Sequence, residues 1–424
     1  MAGKRDEMVE VLRVYIHGVT VGYLAGYQDG RNIFVFDEEY INNADRPTFT
    51  LTTHPFHPSS KKTMATPWKT SQQLHPVFSN LLPEGALRDW FAQILKVHIN
   101  SEFPLFNHLI EDLPGAIMAE SMEPSDIPLG ILDHRANVQA IPKVVSRDKL
   151  HFSLAGVQMK FSMHQRDGRY HISQHGQLGD WIVKTPSTVH SDVPLNEYTA
   201  MHLASLAGID IPETRLVKIS ELTDLPDIKL PNEEYAYAIR RFDRGIEQKR
   251  IHTEDFAQVL FKYAHEKYNS TNYESIGRVI YQYSGNKLAN VQQLARRILV
   301  NILLANGDAH LKNWTLFYPD TITAELAPSY DILTTKVYIK DEKEFALNLH
   351  RTKNWYEVTM NHFEEWAKDV DVPWRAIKVQ LDDTIEKARE LWPQALVESP
   401  MADAHKVILR EHWKALQQDF RIET

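Results

Sequence analysis

From its amino end the chain alternates short apolar runs with turn residues. Val9 to Ile16 is rich in β-branched residues, His17-Gly18 interrupts it, Val19 to Leu24 follows, and Asp29-Gly30 precedes Asn32 to Phe36. This spacing predicts a β-meander. Beyond Asn80 the period changes: Gly85 to Val97 sets Leu87, Phe91, Ile94 and Leu95 near one helical face, behind the turn Pro83-Glu84-Gly85. Met122 to Lys149 carries Pro124, Pro128 and Pro142 with weak periodicity, the pattern of a linker.

A second β-rich block follows. Phe161 to Met163, Tyr170 to Ser173 and Trp181 to Thr185 read as strands, Pro194 to Leu206 as a helix ended by Gly208, and Thr214 to Ile219 and Tyr235 to Arg241 as two more strands. After Thr253 helices prevail. Leu294, Ile298, Ile302 and Leu303 mark an amphipathic helix that runs into Asn306-Gly307-Asp308; Trp314 to Tyr318 and Ile322 to Leu326 then predict a hairpin about Pro319-Asp320. Leu409, Trp413, Leu416 and Phe420 form a helical stripe in the tail.

At 424 residues the chain has room for about two to three domains. Its 43% apolar, 24% charged and 10% aromatic content is that of an ordinary globular fold. There is no cysteine, which excludes disulfides, thiolate metal sites and cysteine nucleophiles and suits a reducing compartment. No run approaches 18 apolar residues and Met1 to Glu10 is charged, so a cytoplasmic protein without a membrane span is expected. With 47 basic against 56 acidic residues the net charge is −9, the wrong sign for binding nucleic acid by bulk electrostatics.

The chemistry concentrates in Asn306-Gly307-Asp308-Ala309-His310-Leu311-Lys312-Asn313, followed 18 residues later by Asp331. Phosphoryl transfer requires a carboxylate to orient the attacking hydroxyl and oxygen ligands to hold Mg²⁺ against the phosphates. Asp308 and Asn313 have the spacing of the kinase catalytic loop, and the hairpin delivers Asp331 as a second metal ligand. Asp-x4-Asn alone is common; a helix, this loop, a hairpin and a second Asp in that order are more specific. His310 is a candidate to touch phosphate or brace Asp308. Lys184, at the end of a strand, is a candidate for the phosphate-binding lysine, and Glu197, 13 residues on, for its partner carboxylate. No Gly-x-Gly-x-x-Gly or Gly-x4-Gly-Lys-Ser/Thr loop precedes Lys184. Ser153-Leu154-Ala155-Gly156-Val157-Gln158-Met159-Lys160 stands there instead, with small residues that let backbone N–H groups approach phosphate.

These segments, with Phe78-Ser79-Asn80-Leu81-Leu82-Pro83-Glu84-Gly85, Ile182-Val183-Lys184 and Arg241-Phe242-Asp243-Arg244, resemble the HipA-type serine/threonine kinases, the toxin halves of bacterial toxin–antitoxin pairs. The resemblance implies an α+β, two-lobed protein-kinase-like fold: an amino-terminal β-rich subdomain (1–122), a small lobe with a phosphate loop (123–245) and a helical large lobe with the catalytic loop (246–424). It implies ATP and Mg²⁺ as cofactors, Asp308 as proton acceptor, Asn313 and Asp331 as metal ligands, and Lys184 on the phosphates. It groups Ala155, Gly156, Val157, Gln158, Met159, Lys160, Arg240, Arg241, Phe242, His310, Leu311 and Lys312 around the nucleotide, Arg240 to Phe242 as the segment that holds adenine. Ser153 takes the position whose autophosphorylation silences the kinase. Met159 stands where the family often has glutamate and Arg240 where it often has an acidic residue, so side-chain contacts there do not carry over.

As partners the resemblance implies a helix-turn-helix antitoxin of the HipB type, operator DNA mainly through that antitoxin, and a protein substrate such as an aminoacyl-tRNA synthetase, glutamyl-tRNA synthetase above all. Growth arrest and persistence would follow. Lys406, Arg410 and Lys414 share one face of the tail helix, either as a solvated face or as an edge that touches phosphate. Two other readings compete: a small-molecule phosphotransferase, since aminoglycoside kinases share the Gly-Asp-x-His-x-x-Asn loop, and a catalytically idle corepressor. The amino-terminal meander argues against the first and the complete set Asp308, Asn313 and Asp331 against the second.

Overall fold

The computed structural model describes residues 7–110, 113–128, 131, 136–138, 158–172, 178–225 and 229–422. Ser153, Ala155, Gly156 and Val157 lie outside them. Three units follow one another along the chain.

The first unit comprises strands β1 (Glu7–Ile16), β2 (Val19–Tyr27), β3 (Arg31–Phe36), β4 (Trp68–Ser71), β5 (Ile117–Ser121) and β6 (Ala136–Val138), and helices α1 (Glu38–Asn42), α2 (Ser60–Ala65), α3 (Pro76–Ser79), α4 (Gly85–Ile94) and α5 (Glu102–Leu109). Its sheet runs β4-β3-β2-β1-β5, with β6 also on β1. Alternation along β1 splits the side chains between two faces. Leu12, Val14 and Ile16 join Phe34, Phe78, Phe103 and Phe106 in one core, while Val9 and Val11 pack with Tyr23, Ala25 and Tyr27 on the other side.

The linker expected over 122–149 needs correcting, because Ala136–Val138 lies in it and pairs parallel with Glu7–Val9. The reason is the short reach of β5, which covers only Leu12 to Ile16 of β1. The edge left at Glu7–Val9 needs partners for its backbone groups, and β6 supplies them.

The second unit holds β7 (Lys160–Arg166), β8 (Arg169–Ile172), β9 (Trp181–Lys184), β10 (Thr214–Lys218), β11 (Leu222–Thr223), β12 (Tyr235–Arg240) and helix α6 (Val193–Leu206), in sheet order β10-β12-β9-β7-β8-β11. Helix α6 ends where Gly208 adopts φ +87, a conformation that favours glycine.

The third unit is mainly helical: α7 (Phe256–Val259), α8 (Tyr273–Tyr283), α9 (Lys287–Leu303), α10 (Met360–Val370), α11 (Trp374–Glu398) and α12 (Asp403–Ala415), with β13 (His252–Asp255), β14 (Thr315–Tyr318) and β15 (Glu325–Leu326) in one small sheet and β16 (Glu344–Leu349) and β17 (Thr352–Asn354) in another. Leu294, Ile298, Ile302 and Leu303 of α9 are all buried, and Leu409, Trp413, Leu416 and Phe420 seal the same core from the tail. On the opposite face of α12, Lys406 is half-buried, pairs with Asp403 at 3.5 Å and donates to the Val397 carbonyl. That face is therefore partly built into the fold rather than fully solvated.

The first unit is docked on the third through polar contacts. Buried Glu254 on β13 accepts hydrogen bonds from the Thr50 hydroxyl and the Leu51 N–H, each at 2.7 Å, and from the Tyr318 hydroxyl. His252 Nε2 donates to the Phe49 carbonyl at 2.9 Å, Gln258 donates to the Val77 carbonyl, and Leu51 inserts into the large core.

Candidate active site

Period-two alternation builds one wall of the site. On β9, Trp181 and Val183 point into the core of the second unit; Ile182 packs toward the third unit, and Lys184 shares its side. Lys160 on β7 stands opposite Lys184 in register. Tyr237, opposite Lys184 on β12, carries the lysine Nζ 5.6 Å above its ring. Helix α6 brings Glu197 to the same point, and Lys184 donates to both Glu197 and Asp331. Lys160 reaches Asp331 at 3.4 Å.

Two lysines thus meet two carboxylates. Burial works against the charge on Lys184, but Asp331 and Glu197 outweigh it and raise its pKa, so the lysine is charged throughout the physiological range. Burial likewise opposes ionisation of Asp331, and Lys160 and Lys184 overcome it, holding this carboxyl well below the usual range. Burial raises the pKa of Glu197. Asp331 adopts φ +54, a strained conformation for a non-glycine residue and one characteristic of functional positions.

The opposite wall is the loop that ends α9. Its geometry depends on Asn306, which accepts from the Asp308 N–H at 3.1 Å and donates to Asn301 at 2.6 Å and to the Asp331 carbonyl at 3.5 Å. One side chain ties the Asp308 and Asp331 segments together. Gly307 is needed for space: a Cβ there would lie 2.9 Å from the Glu344 carbonyl oxygen and collide with Glu342. Asp308 accepts a hydrogen bond from the Tyr268 hydroxyl. A 3-10 turn, Leu311–Asn313, follows, and Asn313 Oδ1 is buried without a donor. His310 is buried and its pKa falls to about 4 because burial disfavours the imidazolium; its Nδ1 also lacks a partner. Gln158 Nε2 is a third buried orphan.

Not every candidate faces this point. Met159 is a core residue of the second unit, and its carbonyl accepts from the Thr185 N–H at 2.9 Å. Leu311 belongs to the large core. Lys312 is turned to the first unit, donating to the Asn80 carbonyl at 3.0 Å and pairing with Glu84 at 2.8 Å, which corrects its expected placement on the nucleotide. Arg240 is exposed, 3.7 Å from Glu213. The Arg241 side chain is held by Asp243 at 2.8 Å and by Ser162, and its backbone N–H donates to the Asp180 carbonyl at 2.8 Å. Phe242 lies 5.7 Å from the Tyr330 ring.

Sequence reasoning missed Glu84 and Tyr268. Glu84 also pairs with Lys267 at 2.7 Å, and despite partial burial these two lysines lower its pKa to about 2. It precedes α4, in a segment fixed by buried Glu102, which accepts from the Leu74 N–H and the Ser79 hydroxyl and pairs with Arg88. The Phe78–Gly85 motif was the available signal, but nothing local in it shows that it touches the catalytic loop.

A strand lysine held by a helix carboxylate, facing a loop with Asp and Asn beyond a helix, in two lobes behind a β-rich amino-terminal subdomain, is a protein-kinase-like architecture. The chain belongs to the HipA family: the HipA-like C-terminal domain matches residues 152–392 and the HipA N-terminal domain residues 12–120. It is 39% identical to the Sinorhizobium fredii protein named "Putative kinase Y4dM", over 93% of this chain and 94% of that one. Identity to the serine/threonine-protein kinase toxin HipA of Shewanella oneidensis is 24%, over 66% of this chain and 67% of that one. The fold is similar to that in a solved complex of Shewanella oneidensis HipA, HipB and operator DNA, with a TM-score of 0.69, 18% identity and 95% of each chain covered. No helix among the described residues is long and apolar enough to cross a membrane.

Proposed function

We propose that this chain is a cytoplasmic serine/threonine protein kinase that uses Mg-ATP and serves as the toxin of a toxin–antitoxin pair. The observation that carries the reading is the buried meeting of Lys184, Glu197 and Asp331 beside the loop that holds Asp308 and Asn313. The residues fit the cofactor. Asn313 Oδ1 is a buried acceptor in need of a partner and Asp331 is kept ionised, the properties a hard, oxygen-seeking cation requires of its ligands. Bound Mg-ATP would supply the phosphoryl group and neutralise its charge. Lys184 offers the phosphates a permanent positive charge, Lys160 and the Gln158 amide add donors, and Asp308 takes the proton of the acceptor hydroxyl. Ala155, Gly156 and Val157 complete the phosphate loop, and Arg240 to Phe242 hold the adenine through the backbone.

In this reading Ser153 is the autophosphorylation site. A phosphate there adds about −1.5 to −2 charge next to the nucleotide and silences the enzyme by repulsion. The partner is a HipB-like helix-turn-helix antitoxin that carries the operator DNA contacts, an arrangement supported by the fold similarity to HipA in its HipB and DNA complex and by this chain's net charge of −9. The substrate is an aminoacyl-tRNA synthetase.

The test is phosphopeptide mass analysis of the full chain after incubation with Mg-ATP, alone and in lysate. Phosphate should appear on Ser153 and on a protein acceptor, and Asp308→Asn should reduce both by about 10²- to 10⁴-fold. An Asp308→Asn variant as active as the wild type would sink the assignment.

A further inference from the structure

The seat beside Asp308 already holds a hydroxyl. Tyr268, 40 residues upstream, donates its phenol O–H to Asp308 Oδ1, although its side chain is 40% exposed. Its ring is fixed on two sides. The ring stands edge-on to His310, 5.1 Å between centroids, and Lys267 Nζ lies 5.6 Å from the ring centre. Lys267 is in turn tethered by Glu84 of the first unit and accepts the Leu311 N–H on its carbonyl at 3.3 Å. The phenol is a lasting donor, since burial and the hydrogen bond to Asp308 raise its pKa far above the ordinary tyrosine range.

An alcohol about to be phosphorylated must present its O–H to the same carboxylate. We propose that Tyr268 guards the acceptor seat: its hydroxyl occupies Asp308 until a bound protein hydroxyl displaces it, and it thereby keeps water from acting as the acceptor. A protein acceptor binds over a wide surface and can offset the lost Tyr268–Asp308 hydrogen bond; a water molecule has no such surface. The reaction suppressed is hydrolysis, in which the water oxygen forms a bond to the γ-phosphorus, the bond from that phosphorus to the β,γ-bridging oxygen breaks, and the water proton passes to Asp308. ADP and inorganic phosphate are the products. The inference rests on Asp308 as the proton acceptor proposed above, and it adds a specificity residue for protein hydroxyl over water.

The experiment measures ATP hydrolysis by the full chain in Mg-ATP without a protein acceptor, for wild type, Tyr268→Phe and Tyr268→Leu, each also with Asp308→Asn. Removing the hydroxyl should raise the Asp308-dependent hydrolysis by about tenfold, the scale of one hydrogen bond to a charged group. Tyr268→Leu removes ring and hydroxyl together and should show at least the same rise, so a folding defect in one variant does not decide the outcome. Unchanged or reduced hydrolysis in both variants, with Asp308-dependent phosphorylation of protein intact in the wild type, overturns the guard alone. Absence of any Asp308-dependent phosphate transfer overturns the kinase reading and the guard with it. Phosphate found on Tyr268 itself also overturns the guard, because the phenol would then be an acceptor.

Discussion

At Asn313 the proposed metal-ligand role coincides with a cost to the fold. Its buried Oδ1 has no donor, and an unsatisfied buried acceptor costs about 1–3 kcal/mol. Asn313→Ala is therefore expected to unfold at an equal or higher urea concentration than the wild type, while the Mg²⁺ concentration for half-maximal phosphate transfer rises. Lower stability together with an unchanged Mg²⁺ requirement would argue against a ligand role. At this scale the sequence was readable where chemistry follows spacing: Lys184 and Glu197, 13 residues apart, do meet. It was silent where contact depends on the fold. Tyr268 and Asp308 are 40 residues apart and Lys267 and Glu84 are 183 apart, distances over which no periodicity carries information.

Among elements, β13 holds the most telling junction. Burial pushes the Glu254 carboxyl up to about 7, above the ordinary carboxylate range. The folded state therefore binds a proton more tightly than the unfolded chain, and the resulting stability is complete below about pH 4.5 and lost as the pH rises through about 7. Docking of the first unit on β13 should accordingly be firmer at pH 5.5 than at pH 8. Glu254→Gln, which keeps the shape and can still accept from the Leu51 N–H and the Tyr318 hydroxyl, should flatten the dependence of Tm on pH across this window. Some slope should remain from Asp255, whose carboxyl burial raises to about 6; an unaltered slope would contradict the assignment to Glu254. The elements themselves were largely legible. The meander, the turn at Gly85, the helix closed by Gly208 and the order α9, loop, β14 and β15 all follow from local periodicity and turn residues. Strand β6 was not, because three residues in a proline-bearing stretch become a strand only when the edge of β1 is available to them.

For the molecule as a whole, three units share interfaces built from buried hydrogen bonds. Glu254, His252 and Gln258 of the third unit all find partners in the first, and Gly115 donates to Asp243 at 2.8 Å. Undocking one unit would strand polar groups on another, so the units should unfold together. Thermal unfolding followed by tryptophan fluorescence and by far-ultraviolet circular dichroism is expected to give coincident single transitions; an earlier, separate melting of the first unit would show the interfaces to be weak. The net charge of −9 acts at this scale too, since it sums over the whole chain, whereas Lys160 and Lys184 are matched locally by Asp331 and Glu197.

Asp243 lies just after β12, where the second unit passes into the third. It is buried and paired with Arg241 and Arg244, and with the Gly115 N–H these partners overcome the effect of burial and hold its carboxyl well below the ordinary range. Arg244 and Arg250 extend the junction to the carbonyls of Leu113 and Gly115. Separating the first unit from this segment would break several charge-assisted hydrogen bonds at once. The passage from the second unit to the third is thus clamped by the first unit, which makes the amino-terminal unit a brace for the segment that joins the other two.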